Sequence, residues 1–432
     1  MTLLITDASE LITCRADAHG VAGEDLGSLE VIAGGALAIE RERIVDVGGS
    51  DELRRRHRGA DELSARGKLV SPGLVDPHTH LVYAGSRHGD YDLQLTAHPG
   101  APPVGGGIRT TVAATRAATS EALRAKALAD LDLMLGHGTT TAEVKSGYGL
   151  DRTTELRLLD VIGSLAHPID VVPTYVAAHI PAFPEEYSRA EYVALACDVL
   201  QDALGRAEYC DVCCDPISFT REECSQIARQ ALALGFKLRL HADQTGWAGG
   251  AELAAELGAA SADHLDCVSK AGIRALAHAG TVGVLAPAVN FHLMELTPDP
   301  YDEHAPPLAK QQVPYLVHRM IEQGVRLAIS TDYNPGTAPT LSMQMAMQMA
   351  ARFYRLNYAT VWHMATINAA HALDRGDDRG SLEIGKRADV AIWSVPEHGM
   401  VIQRFGTNLI DTVVKNGVVV AKQGRALAMG AS

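Results

Sequence analysis

At 432 residues the chain exceeds the size that a single hydrophobic core usually reaches, so one large domain with a smaller companion is expected. It is 47% hydrophobic and 21% charged, the balance of a globular protein that buries a substantial core. Thirty-eight Lys and Arg face 52 Asp and Glu, and the net charge of −14 argues against nucleic acid and anionic membranes as partners. The start, Met1-Thr2-Leu3-Leu4-Ile5-Thr6-Asp7, has neither the basic residues nor the long apolar run of a signal peptide, and no window is apolar enough to span a bilayer. Seven cysteines, odd in number and scattered except for Cys210, Cys213 and Cys214, point to a reduced, cytoplasmic setting. No second cysteine pair stands at finger-like spacing, so that cluster reads as buried strand thiols.

From Leu3 to about Val70 short apolar runs alternate with turns, and 29–35 and 36–47 read as hairpin strands. An apolar run then climbs from Leu69 and ends in Asp76-Pro77-His78-Thr79-His80. Alternate side chains of an extended segment share a face, so His78 and His80 can converge on one point. From there strands near 75–80, 139–145, 169–179, 209–214, 236–241, 260–264, 281–286 and 326–332 alternate with helical stretches. The helices expected are 120–135, 152–165, 221–234, 250–257 and 313–323. Eight strands with helical crossovers predict a (β/α)8 barrel. A doubly wound sheet is the alternative, but no Gly-x-Gly-x-x-Gly follows the first strand. Gly105-Gly106-Gly107 reads as a flexible active-site loop, and the five prolines from Pro298 to Pro314 as a long loop after strand seven. The C-terminal end is again all-β, with Asn416-Gly417 between two β-branched runs as a two-residue hairpin signal.

In such a barrel chemistry gathers at the C-terminal ends of the strands. Polar residues stand at several of those ends: His78 and His80, then His179, His241 with Asp243 and Gln244, Asp263 with His264, and Asp332. A lone histidine at a strand end is usually packed or solvated. Their coincidence at matching ends argues for a metal site.

These stretches carry a resemblance. Pro72–Arg87, Gly105-Gly106-Gly107-Ile108, Glu143–Leu150 (Glu-Val-Lys-Ser-Gly-Tyr-Gly-Leu), His241–Gln244, Ser261–Leu265 and Thr331–Thr337 resemble the amidohydrolase superfamily and, within it, its imidazolonepropionase branch. The Lys-Ser-Gly-Tyr-Gly-Leu and Asp-x-Asn-Pro-Gly stretches are closest to that branch. The resemblance implies a (β/α)8 barrel over residues 69–382, with a small β-sandwich domain built from 1–68 and 383–432. It implies metal ligation by His78, His80, His241 and Asp332, with one divalent ion, Zn²⁺ first and Fe²⁺ or Mn²⁺ as alternatives. Asp332 would take a proton from water and pass it on, and His264 would hydrogen-bond the nucleophile or a substrate oxygen. Gln244 stands where the family has Glu or Gln; its amide takes no proton, so it orients water or holds the ring. Arg87 would grip a propionate carboxylate, with Tyr148, His179 and Asn334 completing the substrate contacts. Lys145, a residue that some relatives carboxylate to bridge two metals, is expected instead to pair with Glu143. A homodimer is implied as well.

The resemblance departs at two loops that should face the substrate, 93–103 and the Pro-rich stretch after strand seven. Several readings therefore stay open. Hydroxide delivered to C2 of a five-membered N–C–N ring bearing a propionate would open an imidazolone, or displace sulfide from a 2-thioxo ring as in ergothioneine breakdown. Deamination of a cyclic amidine is a third reading, and a non-catalytic small-molecule-binding barrel a fourth; loss of a metal ligand would mark the last, and none of the four is missing.

Overall fold

The computed structural model describes residues 2–96, 106–181, 183, 185–293 and 313–428. The chain begins with β1 (Thr2–Ile12), β2 (Val31–Glu40), β3 (Arg43–Gly49), β4 (Asp61–Ser64) and β5 (Leu69–Pro72). The barrel strands follow: β6 (Leu74–Asp76), β7 (Thr139–Lys145), β8 (Asp170–Ala178), β9 (Tyr209–Cys214), β10 (Lys237–Ala242), β11 (Ser261–His264), β12 (Val282–Leu285) and β13 (Leu327–Ile329). The chain closes with β14 (Val390–Trp393), β15 (Ile410–Lys415), β16 (Val418–Lys422) and β17 (Arg425–Ala426).

Both chain ends build one mixed sheet. Its order is β17-β16-β15-β14-β5-β1-β2-β3, with β4 beside β1, and the seam between the ends is the antiparallel β14–β5 pair. Ile5, Leu37, Ile39, Val70, Val390, Ile392 and Val414 form a buried aliphatic cluster on this sheet. The Asn416-Gly417 turn forms as expected, with φ of 51° and 77°, the left-handed pair that a tight hairpin demands. The N-terminal hairpin is placed differently from the sequence reading. β2 runs straight through Gly34-Gly35, and the chain turns at Arg41, whose φ is 55°. The register of β1 against β2 shifts between Ile5 and Ala8, a bulge at Asp7 with φ of 60°. Gly34, with φ of 61°, lies one residue from Gly35, the partner of Ala8, inside the continuous strand and not in a turn.

The eight remaining strands lie in sequential order, all parallel. The barrel closes between β6 and β13 through a Thr79–Tyr333 bridge, in which the His80 N–H donates to the Tyr333 carbonyl at 2.8 Å. Five crossover helices begin at a Ser, Thr or Asp (Thr119, Asp151, Ser188, Thr220, Ser269) whose side chain accepts a first-turn N–H. The apolar run from Leu69 divides: Leu69–Pro72 belongs to the mixed sheet, Leu74–Asp76 to the barrel. At Gly73, between them, an added Cβ would come within 2.4 Å of Thr140, so the two sheets pass too closely for a side chain. Cys210, Cys213 and Cys214 are buried thiols of β9, as expected. Of the two loops expected to face substrate, residues 97–105 and 294–312 lie outside the described residues. No helix among the described residues is long and apolar enough to cross a membrane.

Candidate metal centre

His78 and His80 follow β6 in extended backbone, and His241 lies in β10. Their ring nitrogens meet: His80 Nε2 lies 3.3 Å from His78 Nε2 and 3.3 Å from His241 Nε2. Asp332 Oδ1 lies 3.4 Å from His78 Nε2 and 3.6 Å from His80 Nε2. All four residues are at most 3% exposed. An ion bound at about 2.0–2.1 Å in tetrahedral geometry needs ligand-to-ligand edges of roughly 3.3 Å. The three histidines form a group that fits such an ion, and Asp332 belongs to a second, overlapping group with His78 and His264.

Two carboxylates fix the tautomers. His78 Nδ1 meets Asp263 Oδ2 at 2.6 Å and His241 Nδ1 meets Asp211 Oδ1 at 3.0 Å, so in each ring Nδ1–H donates and the Nε2 lone pair faces the centre. The Nε2 lone pairs of His78 and His241 both face His80 Nε2, an arrangement that a cation among the three rings would stabilise. Asp332 Oδ1 is buried and makes no hydrogen bond among the described residues. Burial holds the Asp332 carboxyl at about 7, the state of a buried acid short of positive charge. Burial and the neighbouring Lys145 and imidazoles push His78 well below the usual histidine value. At His241 burial acts in the same direction, but the Asp211 carboxylate outweighs it and the ring is raised.

Beneath the histidines lies a layer of buried charge. Lys145 Nζ donates to Glu143 Oε1 at 2.8 Å, the pair expected from sequence, and to Asp211 Oδ2 at 2.6 Å. Arg239 donates to the Pro77 carbonyl at 2.6 Å, the Ala372 carbonyl at 2.7 Å and Asp263 Oδ2 at 3.3 Å. Asp76 accepts from Thr331 beside Asp332. Buried carboxylates at Asp76, Glu143, Asp211, Asp263 and Asp332 outnumber the buried cations Lys145 and Arg239, an imbalance that a divalent ion relieves. Sequence reasoning gave no role to Asp211 and Arg239, and it noted Asp263 only as a polar strand-end residue. The signal was a charged residue two positions before a strand-end histidine or inside an otherwise apolar strand.

The other predicted residues gather around this cluster to different degrees. The His179 ring stacks on His80 at 4.9 Å and donates from Nδ1 to the Gly147 carbonyl at 3.0 Å. Burial, then His241, holds its pKa at about 4, so the ring is neutral near pH 7. Tyr148 packs 5.8 Å from the His80 ring and 5.5 Å from that of His179. Its loop is held by the buried Glu155, which accepts the N–H groups of Gly147, Gly149 and Leu150. His264 ends β11 with its ring 5.4 Å from that of His78 and 5.3 Å from that of His241. His264 and Asp332 have φ of 75° and 48°, left-handed backbone at two strand ends that face the cluster. Gln244 is half-buried after β10, and its carbonyl is approached by Cys267 Sγ at 3.6 Å. The Asn334 amide is taken up in its own turn: Nδ2 donates to the Asp332 carbonyl and Thr337, while Oδ1 accepts from the Gly336 and Thr337 N–H groups. Arg87 packs against Gly336 in that same loop, where an added Cβ would lie 2.2 Å from Nη1.

The amidohydrolase family matches residues 214–420, and an imidazolonepropionase-like composite domain of bacteria matches residues 35–60. The imidazolonepropionase of Treponema denticola is 42% identical over 98% of this chain and 99% of its own. That of Geobacillus thermodenitrificans is 40% identical over 98% and 99%. Among solved structures, A. niger ochratoxinase superposes with a TM-score of 0.70 at 17% identity, over 99% of this chain and 96% of that one. An adenosine deaminase from Xanthomonas campestris with bound zinc gives 0.68 at 21%, over 99% and 94%. At such identities the structural likeness speaks for the fold. The full-length likeness speaks for more: the chain belongs to the imidazolonepropionase family of the amidohydrolases.

Proposed function

We propose that this chain hydrolyses 4-imidazolone-5-propionate to N-formimidoyl-glutamate, a step of histidine degradation. The observation that carries the reading is full-length identity of 42% to a relative of that activity. The reading extends to a homodimer, which the resemblance implies, in the reduced cytoplasmic setting that the scattered cysteines suggest. Atom balance fixes the bond that breaks. The product keeps its N–CH=N unit and gains a carboxylate where the ring carbonyl stood. Water therefore adds to that carbonyl carbon and the lactam C–N bond breaks, not a bond to C2 as the sequence reading had it.

His78, His80, His241 and Asp332 would hold one divalent ion, and three imidazoles with a carboxylate suit Zn²⁺ ahead of Fe²⁺ or Mn²⁺. The chemistry such an ion supplies is acidification of water to near-neutral pKa, so that a nucleophile is present at pH 7. Asp332 takes the proton of the attacking water and returns it to the departing ring nitrogen. His264, in contact with the same cluster, donates to the oxyanion that develops on the carbonyl oxygen. His179 is neutral, with Nδ1–H spent on Gly147, so its Nε2 accepts from a ring N–H. Tyr148, pushed well above its ordinary pKa by burial, stays a hydroxyl donor. Gln244 holds water or ring through its amide. Arg87 receives the propionate. Asn334 shapes the turn that joins Asp332 to Gly336; a direct contact with the ring requires that its amide exchange one of these bonds.

The test is turnover by metal-replete protein, following loss of ring absorbance with imidazolonepropionate and sulfide release with its 2-thioxo-5-oxo analogue. Rapid loss of the imidazolone without sulfide release is expected. Sulfide release with no imidazolone turnover would overturn the assignment.

A further inference from the structure

Arg87 does not reach the site unaided. Its Nε donates to Asp90 Oδ2 at 3.1 Å, three residues on in the helix His88–Thr96. The same carboxylate accepts the Gly106 N–H on Oδ1 at 3.2 Å and the Gly107 N–H on Oδ2 at 3.0 Å. Gly107 has φ of 55° and ψ of −143°, backbone that only glycine adopts without strain. A Cβ added there would lie 4.0 Å from Arg87 Nη2, so the loop passes close to the tip of the guanidinium. On the other side Gly336 lies against Nη1, four residues beyond Asp332. The Arg87 and Asp90 side chains are 23% and 20% exposed, which shields the pair from bulk water.

We propose that Asp90 is a positioning residue that presents the Nη1–Nη2 edge of Arg87 to the carboxylate of the substrate. By occupying Nε it leaves the guanidinium only its end-on pair of donors for a bidentate grip, and it clamps the Gly106-Gly107 loop beside that edge. An Asp three residues from an Arg is by default a surface ion pair of little consequence. What sets this one apart is that one carboxylate gathers N–H groups from Arg87 and from a loop 16 and 17 residues away. The inference rests on the reading of Arg87 as the group that binds the propionate.

The experiment is steady-state kinetics of the wild type, Asp90→Asn, Asp90→Glu and Arg87→Ala on two rings: imidazolonepropionate and 5-ethyl-4-imidazolone, which lacks the carboxylate. Loss of a charge-assisted hydrogen bond should raise the KM of Asp90→Asn for the propionate by about 10- to 100-fold with kcat little changed. The ethyl compound should be turned over as by the wild type, and Asp90→Glu should recover part of the loss. Unchanged KM in Asp90→Asn, or equal losses on both rings, would overturn the positioning role. If Arg87→Ala also fails to distinguish the two rings, the carboxylate reading of Arg87 falls and takes this inference with it. A wild-type preference for the propionate that Arg87→Ala abolishes and Asp90→Asn leaves intact would remove Asp90 alone.

Discussion

The inner face of the mixed sheet and the inner layer of the barrel are both dry, yet they are built from opposite materials. In the sheet, Ile5, Leu37, Ile39, Val390 and Ile392 meet as an aliphatic cluster whose burial directly stabilises the fold. In the barrel, the same depth holds Glu143, Lys145, Asp211, Arg239 and Asp263, each paired with a charged neighbour and the whole short of positive charge. Charge at that depth is costly to desolvate. The barrel carries it because tautomer and orientation at His78 and His241 depend on Asp263 and Asp211. One region stabilises the fold; the other holds the reacting groups in register.

The largest effect is expected at the metal cluster and the smallest in the aliphatic sheet. His241→Ala removes a nitrogen from the cluster and should cost more than about 100-fold in metal affinity, with activity lost in parallel, as read by metal analysis and turnover. Asp263→Asn leaves His78 in place but without its carboxylate anchor; metal affinity or kcat should fall about 10- to 100-fold. Lys145→Met strands Glu143 and Asp211 without their shared cation, and denaturant unfolding should show a loss of about 3–5 kcal/mol. Ile392→Val deletes one methylene from the sheet cluster and should cost only about 0.5–1.5 kcal/mol with kcat unchanged. A large loss of activity in Ile392→Val, or none in Asp263→Asn, would break the division of labour between the two regions.

Much of this was legible in the sequence. The eight barrel strands announce themselves as apolar or β-branched runs, and the strand-end histidines mark the site because period-two geometry is local. The helix Arg189–Ala203 was not read, although Ser188 and Glu191 form the capping box that signals it. The turn at Arg41 was hidden because nothing in an arginine announces positive φ, while Gly34-Gly35 offered a false turn inside a continuous strand. Asp211 and Arg239 were missed for a physical reason. Their partners Lys145 and Asp263 sit on other strands, and only the closed barrel brings them together. The grip of Asp90 on Gly106 and Gly107 is likewise a contact across a loop that no spacing rule foretells.

The most direct measurement is anomalous diffraction from metal-replete crystals, collected on both sides of the absorption edge of the bound metal. The account predicts one peak per chain, enclosed by His78 Nε2, His80 Nε2, His241 Nε2 and Asp332 Oδ1. A second peak beside Lys145, or a single peak away from these four atoms, would contradict it.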